Sequence, residues 1–182
     1  MSDVDNHPKL VWLDLEMTGL DPDSERIIEI ATIVTDFELD EVIEGPNLVI
    51  KQPDEFIKNM DEWNLNHHSE SGLIEAVRAT KVTSELAERE TLEFLKQHTS
   101  KGKSPLCGNS IHHDRRFLSR YMPDLAAFFH YRNIDVSSIK ELVKRWYPEL
   151  VKYTKKEASH RALSDTKESI EELRFYKENL FK

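Results

Sequence analysis

Ten residues near the N-terminus, VWLDLEMTGL from Val11 to Leu20, restrict the fold more than any other stretch. Val11, Trp12, Leu13 and Leu15 make the apolar body of a β-strand, yet Asp14 and Glu16 stand among them. Burying an ionised carboxylate without a partner costs several kcal/mol, so something must cancel two negative charges here. Side chains alternate along a strand, which puts Asp14 and Glu16 on the side of Trp12 while Val11, Leu13 and Leu15 face the other way. A solvated edge strand would also accommodate such a pair. The apolar residues on both sides of it weigh against that.

Two more acids fall where apolar residues belong. In GNSIHHDRRFLSRYM, Gly108 to Met122, Ile111, Leu118 and Tyr121 form one helical stripe, and Asp114 lies inside it. In SHRALSDTKES, Ser159 to Ser169, His160 and Asp165 are five residues apart, which is about 140° around a straight helix. They converge only if His160 stands in the loop before the helix and Asp165 points inward from its first turns. Alone, a buried Asp or a His–Asp pair is usually structural. Together, Asp14, Glu16, Asp114 and Asp165 make an all-oxygen set suited to hard divalent cations such as Mg²⁺ or Mn²⁺. Such ions would supply the missing positive charge. Zinc suits the chain less: Cys107 is the one cysteine, and His67–His68 and His112–His113 are adjacent pairs whose side chains diverge.

At 182 residues the chain is expected to form one domain, residues 1–182, with a substantial core. Strands are expected over Leu10 to Glu16, Ile27 to Asp36 and Glu41 to Ile50, and their short connections make an antiparallel meander. Beyond Pro53, helical periods alternate with short apolar runs at Pro105 to Cys107 and Tyr131 to Val136. Thr83 or Ser84 can cap one helix. Ser138 with Glu141 reads as the capping box of another that Pro148 ends. The last helix begins near Arg161 and carries Leu163, Ile170, Leu173 and Leu180. These elements predict an α/β sheet covered by helices.

The N-terminus, Met1 to Pro8, has no basic segment followed by an apolar one, and no run is long enough to cross a bilayer, so neither export nor a membrane is expected. One cysteine fits a reducing cytoplasm. A net charge of −9 should repel a polyanion from the molecule as a whole. A nucleic acid would have to be met locally, and basic residues do gather at Arg115, Arg116 and Arg120 and at Lys152, Lys155, Lys156 and Arg161.

The acidic motifs resemble the three exonuclease motifs of the DEDDh family, through Asp14 and Glu16 in DLEMTGL, Asn109 and Asp114 in GNSIHHDRRFL, and His160 and Asp165 in HRALSD. The likeness runs along nearly the whole chain. It implies an RNase H-like mixed sheet, an antiparallel N-terminal meander plus parallel strands, flanked by helices. It also implies 3′→5′ removal of nucleoside 5′-monophosphates from very short single-stranded RNAs, with two divalent ions, Mg²⁺ or Mn²⁺, per site. In that scheme Asp14 bridges the ions, Glu16 and Asp165 hold one, Asp114 supports the other, and His160 takes the proton of the attacking water. The same resemblance makes Leu20 an apolar wedge beside the terminal bases, Trp63 and His68 contacts around the 3′ end, and Ser110, Arg132 and Ser137 a cap on the 5′ phosphate. Tyr131 would reach that cap from the second subunit of a homodimer.

Aromatic and apolar groups stack on any base, whereas Arg pairs with phosphate. A cap would exclude long chains, which agrees with the acidic net charge. Three other readings use some of the same residues. A DNA-proofreading exonuclease shares the catalytic five. A phosphoaspartate phosphatase would use Asp14, Glu16 and Thr18 in the manner of a D-x-D-x-T loop, though that loop needs a second aspartate. A catalytically dead end-binding module would have lost metal ligands that this chain keeps.

Overall fold

The computed structural model describes residues 9–150 and 161–181. Five strands, β1 (Leu10–Met17), β2 (Ile27–Thr35), β3 (Val42–Val49), β4 (Leu106–Gly108) and β5 (Asn133–Asp135), form one sheet in the order β3-β2-β1-β4-β5. The first three are the expected antiparallel meander, and their limits lie within a residue of the sequence reading. β4 then joins β1 in parallel, and β5 joins β4 in parallel. β1 is therefore the seam between an antiparallel half and a parallel half.

Helices α1 (Asp54–Lys58), α2 (Glu62–Glu70), α3 (Leu73–Ala79) and α4 (Ser84–His98) fill the connection from β3 to β4. Helices α5 (His112–Tyr121) and α6 (Pro123–Ala126) precede β5, and α7 (Val136–Trp146) and α8 (Ala162–Leu180) follow it. Alternation along β1 sorts the core into two layers. Val11, Leu13 and Leu15 pack with Ala87 and Leu95 of α4 and Phe117 and Leu118 of α5. Trp12, on the opposite face, packs with Val136 and Val143 of α7 and Ile170 and Tyr176 of α8. Its indole N–H donates to the Thr35 hydroxyl at 3.0 Å, so the ring is buried without an orphaned donor. All nine residues of β2 are buried, as befits a strand covered on both faces. A third cluster, Ile28, Ile57, Met60, Leu73, Ile74 and Val77, seats α1 to α3.

Thr83 caps α4 by accepting the Leu86 N–H at 3.2 Å, one of the two caps the sequence offered. α7 departs from expectation. Asp135, rather than Ser138, is its N-cap, and the helix starts at Val136. The Asp135 carboxylate accepts both the Ser137 N–H at 2.9 Å and the Ser110 N–H at 3.0 Å, so a contact 25 residues away helps to fix the start. Gly108 ends β4 at a tight crossing: a Cβ there would lie 2.9 Å from the Leu13 carbonyl oxygen. A side chain at this position would press on the strand next to Asp14.

Candidate active site

Asp14 and Glu16 project from β1 toward α8, and Asp165 meets them from the first turn of that helix. One carboxylate oxygen from each of the three lies within 4.8 Å of the others. All three are half-buried. Burial is the largest influence on Asp14 and raises its carboxyl well above the ordinary value of 3.8, and the charges of Asp114, Glu16, Asp165 and Glu29 push the same way. Glu16 is pushed up to about 8 by burial, then by Asp165, Glu29 and Asp114, while Arg161 pulls it back. The strand's improbable carboxylates are confirmed in place, and in the fold they become more crowded. Three hard oxygen donors converging on one small volume fit a divalent cation of the Mg²⁺ class.

Asp114 stands beside this trio rather than within it. It is buried in the first turn of α5, and its Oδ1 accepts the Leu15 N–H at 2.9 Å. β4 pairs with β1 only at Val11 and Trp12, so beyond it a side chain takes up a main-chain donor of β1. Burial raises the Asp114 carboxyl to about 7, against the pull of that hydrogen bond. His160 lies outside the described residues.

The remaining predicted positions fall into two groups. Leu20 and Trp63 are exposed and line one cleft of about 880 Å³ together with Asp61, Glu62, Asn64 and Asn66. The Trp63 ring lies on His67 with centroids 3.9 Å apart. His68, one residue on, is buried; its Nε2 donates to the Met17 carbonyl at 3.0 Å and its Nδ1 stands 4.0 Å from Glu16. His68 therefore ties α2 to the end of β1 as well as facing the acids.

The second group surrounds the ends of β4 and β5. Ser110 has a left-handed backbone, φ 51°, and its N–H reaches the Ser137 hydroxyl at 2.8 Å as well as Asp135. The Ser137 hydroxyl in turn donates to Asn109 Oδ1 at 3.1 Å. Asn109 Nδ2 donates to Ser169 Oγ at 2.8 Å, and that hydroxyl donates to the Asp165 carbonyl at 2.9 Å. Chained hydrogen bonds thus join the two serines to the turn that presents Asp165. Tyr131 and Arg132 are exposed on the adjacent loop, with the guanidinium 5.2 Å from the ring centroid. Arg115 is committed to that loop, donating to the His130 and Tyr131 carbonyls at 2.6 and 3.0 Å.

Thr18, the third residue of the phosphatase-like pattern, is buried and occupied: its hydroxyl accepts the Arg26 N–H at 3.0 Å and donates to Glu25. It holds the turn between β1 and β2. The sequence reading passed over Glu29 and Asp135. An acid within the apolar run IIEIATIVT was the available signal for Glu29, and an acid directly before a helix start was the signal for Asp135.

The exonuclease family RNase T matches residues 11–173. Proteins named oligoribonuclease are similar over nearly the full length. One from Shewanella putrefaciens is 55% identical across 97% of this chain and 98% of its own. Another, from Haemophilus influenzae, is 57% identical across 95% of each. Among solved structures, the zinc-bound E. coli ExoI–ssDNA complex superposes with a TM-score of 0.71 at 16% identity, covering 97% of this chain and 42% of that one. The mixed five-stranded sheet flanked by helices is an RNase H-like fold.

Proposed function

The chain belongs to the oligoribonuclease family of exonucleases, and from that premise we propose that it clears very short RNAs, dinucleotides to about pentanucleotides, to nucleoside 5′-monophosphates. It is a nuclease that hydrolyses phosphodiester bonds, and its class of reaction is 3′→5′ exoribonucleolysis. The convergence of Asp14, Glu16 and Asp165 within 4.8 Å carries the reading. We read the whole chain as one exonuclease domain working in the cytoplasm. Among the described residues no helix is long and apolar enough to cross a membrane.

Asp14, Glu16 and Asp165, with Asp114 beside them, would hold two ions, Mg²⁺ or Mn²⁺. When bound, such ions lower the pKa of the attacking water and stabilise the leaving 3′ oxygen. His160 would serve as the base for that water, a task an imidazole suits. Leu20 and Trp63 receive the terminal bases by stacking, which accepts any base. The cleft's described lining carries two acids, Asp61 and Glu62, and no base. A long phosphate backbone would be repelled there, whereas a dinucleotide held by its bases would not. His68 is assigned the 3′ end through its Nδ1 edge.

At the other end of the substrate, Arg132, Ser110 and Ser137 cap the 5′ phosphate, completed by Tyr131 from a second copy in a homodimer. The left-handed turn at Ser110 and the Asp135 clamp fix both serines beside each other, which supports this reading. Arg132→Ala is expected to weaken binding of 5′-phosphorylated dinucleotides by roughly 1.5–3 kcal/mol, the scale of a hydrogen bond to a charged group. Titration calorimetry with and without that phosphate checks this, and equal affinity for the two ligands before mutation would discredit the cap.

Product analysis over time on defined RNAs from dimer to heptamer, with Mg²⁺ or Mn²⁺, tests the assignment. The shortest should disappear fastest, and 5′-phosphorylated substrates should leave only 5′-monophosphates. Preference for a twenty-mer of DNA over a diribonucleotide would replace the proposal with a DNA exonuclease.

A further inference from the structure

Glu29 is fully buried in β2 and sits directly across the sheet from Glu16, its Cα partner on β1. A further acid so near the trio and Asp114 would be a liability without a cation, and Arg161 provides one. The Arg161 Nη2 donates to Glu29 Oε1 at 2.6 Å, and its Nε lies 3.1 Å from both carboxylate oxygens. Glu29 Oε2 also accepts the Ala162 N–H at 3.1 Å, the first N–H of α8. The Arg161 carbonyl accepts the Asp165 N–H at 3.1 Å, so the residue that Glu29 grips also sets the turn that carries Asp165. The guanidinium meets both carboxylate oxygens through two nitrogens, the bidentate form that is the strongest available to it.

Arg161 is also the cation that pulls on Glu16. Released from Glu29, its guanidinium would have a nearby alternative partner in the carboxylates of the trio. A monovalent side chain seated there would compete with a divalent ion for the same oxygens. We propose that Glu29 is a positioning residue that keeps Arg161 out of the cation site, so that Asp14, Glu16 and Asp165 remain open to a divalent ion. The proposal rests on the reading of those three acids as a metal site.

Calorimetric titration of the full chain with Mn²⁺ tests it without any appeal to turnover. Glu29→Gln keeps the shape but removes the charge that holds Arg161, and should weaken Mn²⁺ binding by about 10- to 100-fold, the range for groups that support metal ligands. The double variant Glu29→Gln with Arg161→Gln has no guanidinium to intrude and should bind Mn²⁺ within about threefold of the unaltered protein, far above the single variant on that scale. A purely structural ion pair predicts no such recovery. Unchanged binding by the single variant, or a double variant as weak as the single, overturns the proposal. Should Glu29→Gln not fold, the double variant decides alone: near-native Mn²⁺ binding upholds it, and weak binding or failure to fold overturns it. Failure of the unaltered protein to bind Mn²⁺ would instead refute the metal site itself.

Discussion

Asp14→Asn is expected to lower mononucleotide release by roughly 10³-fold or more, the rate equivalent of the several kcal/mol that metal-ion catalysis supplies. The variant keeps the size and hydrogen-bonding shape of the side chain, so packing around β1 should survive. Its effect on stability should have the opposite sign. Asp14 is crowded by burial and then by Asp114, Glu16, Asp165 and Glu29, all of which disfavour its charge. Removing that charge in the presence of a chelator should therefore raise the midpoint of thermal unfolding at pH 8 while activity with Mn²⁺ is lost. Measuring both on one preparation separates lost chemistry from lost fold. Activity that survives the substitution would refute the assignment of Asp14.

The second large effect is a fall in stability with rising pH when divalent ions are withheld. In the folded chain Glu16 keeps its proton up to about 8 against an ordinary value of 4.5, and Asp114 up to about 7 against 3.8. Between those limits the folded state binds protons that the unfolded chain has already released, so stability declines as pH rises. Below the ordinary values both states are protonated and no penalty exists; above about 8 it is complete. This is the reverse of an ion-paired carboxylate, whose contribution grows with pH. The summed penalty should lower the unfolding midpoint by about 10 °C or more between pH 5 and pH 8.5, given roughly 2–4 °C per kcal/mol for a chain of this size. Saturating Mn²⁺ should remove the slope, because it binds the deprotonated acids and expels their protons. Melting curves in chelator that are flat, or that rise over this range, would show that the acids are not crowded as described.

How much of this the primary structure discloses depends on the range of the interactions. The meander was readable because Val11, Leu13 and Leu15, and the β-branched run after Ile27, encode strand alternation and burial locally. The last helix reads as beginning near Arg161 from its apolar stripe, which puts Asp165 in the first turns, and it lies there. β4 and β5 are three residues each, too short to carry a period, so their parallel direction comes only with the helices between them. The start of α7 was misplaced because Ser138 and Glu141 satisfy a local rule, while Asp135 wins through its bond to Ser110, remote in sequence. Glu29 was passed over for the same reason. Its partner, Arg161, is 132 residues away, and within IIEIATIVT nothing nearby announces that a cation will arrive. Arg161 itself read as one member of a basic cluster.

The acids of the site hang from β1, α5 and α8, whereas the residues from Asp54 to His98 supply none of them. That stretch instead brings Trp63 to the cleft wall. The acids and this wall of the cleft are thus written in separate paragraphs of the chain, with His68 as the comma between them, reaching from α2 to the Met17 carbonyl. A change in the α1–α3 lobe would therefore reach the acids through one residue, His68, whose Nδ1 stands 4.0 Å from Glu16.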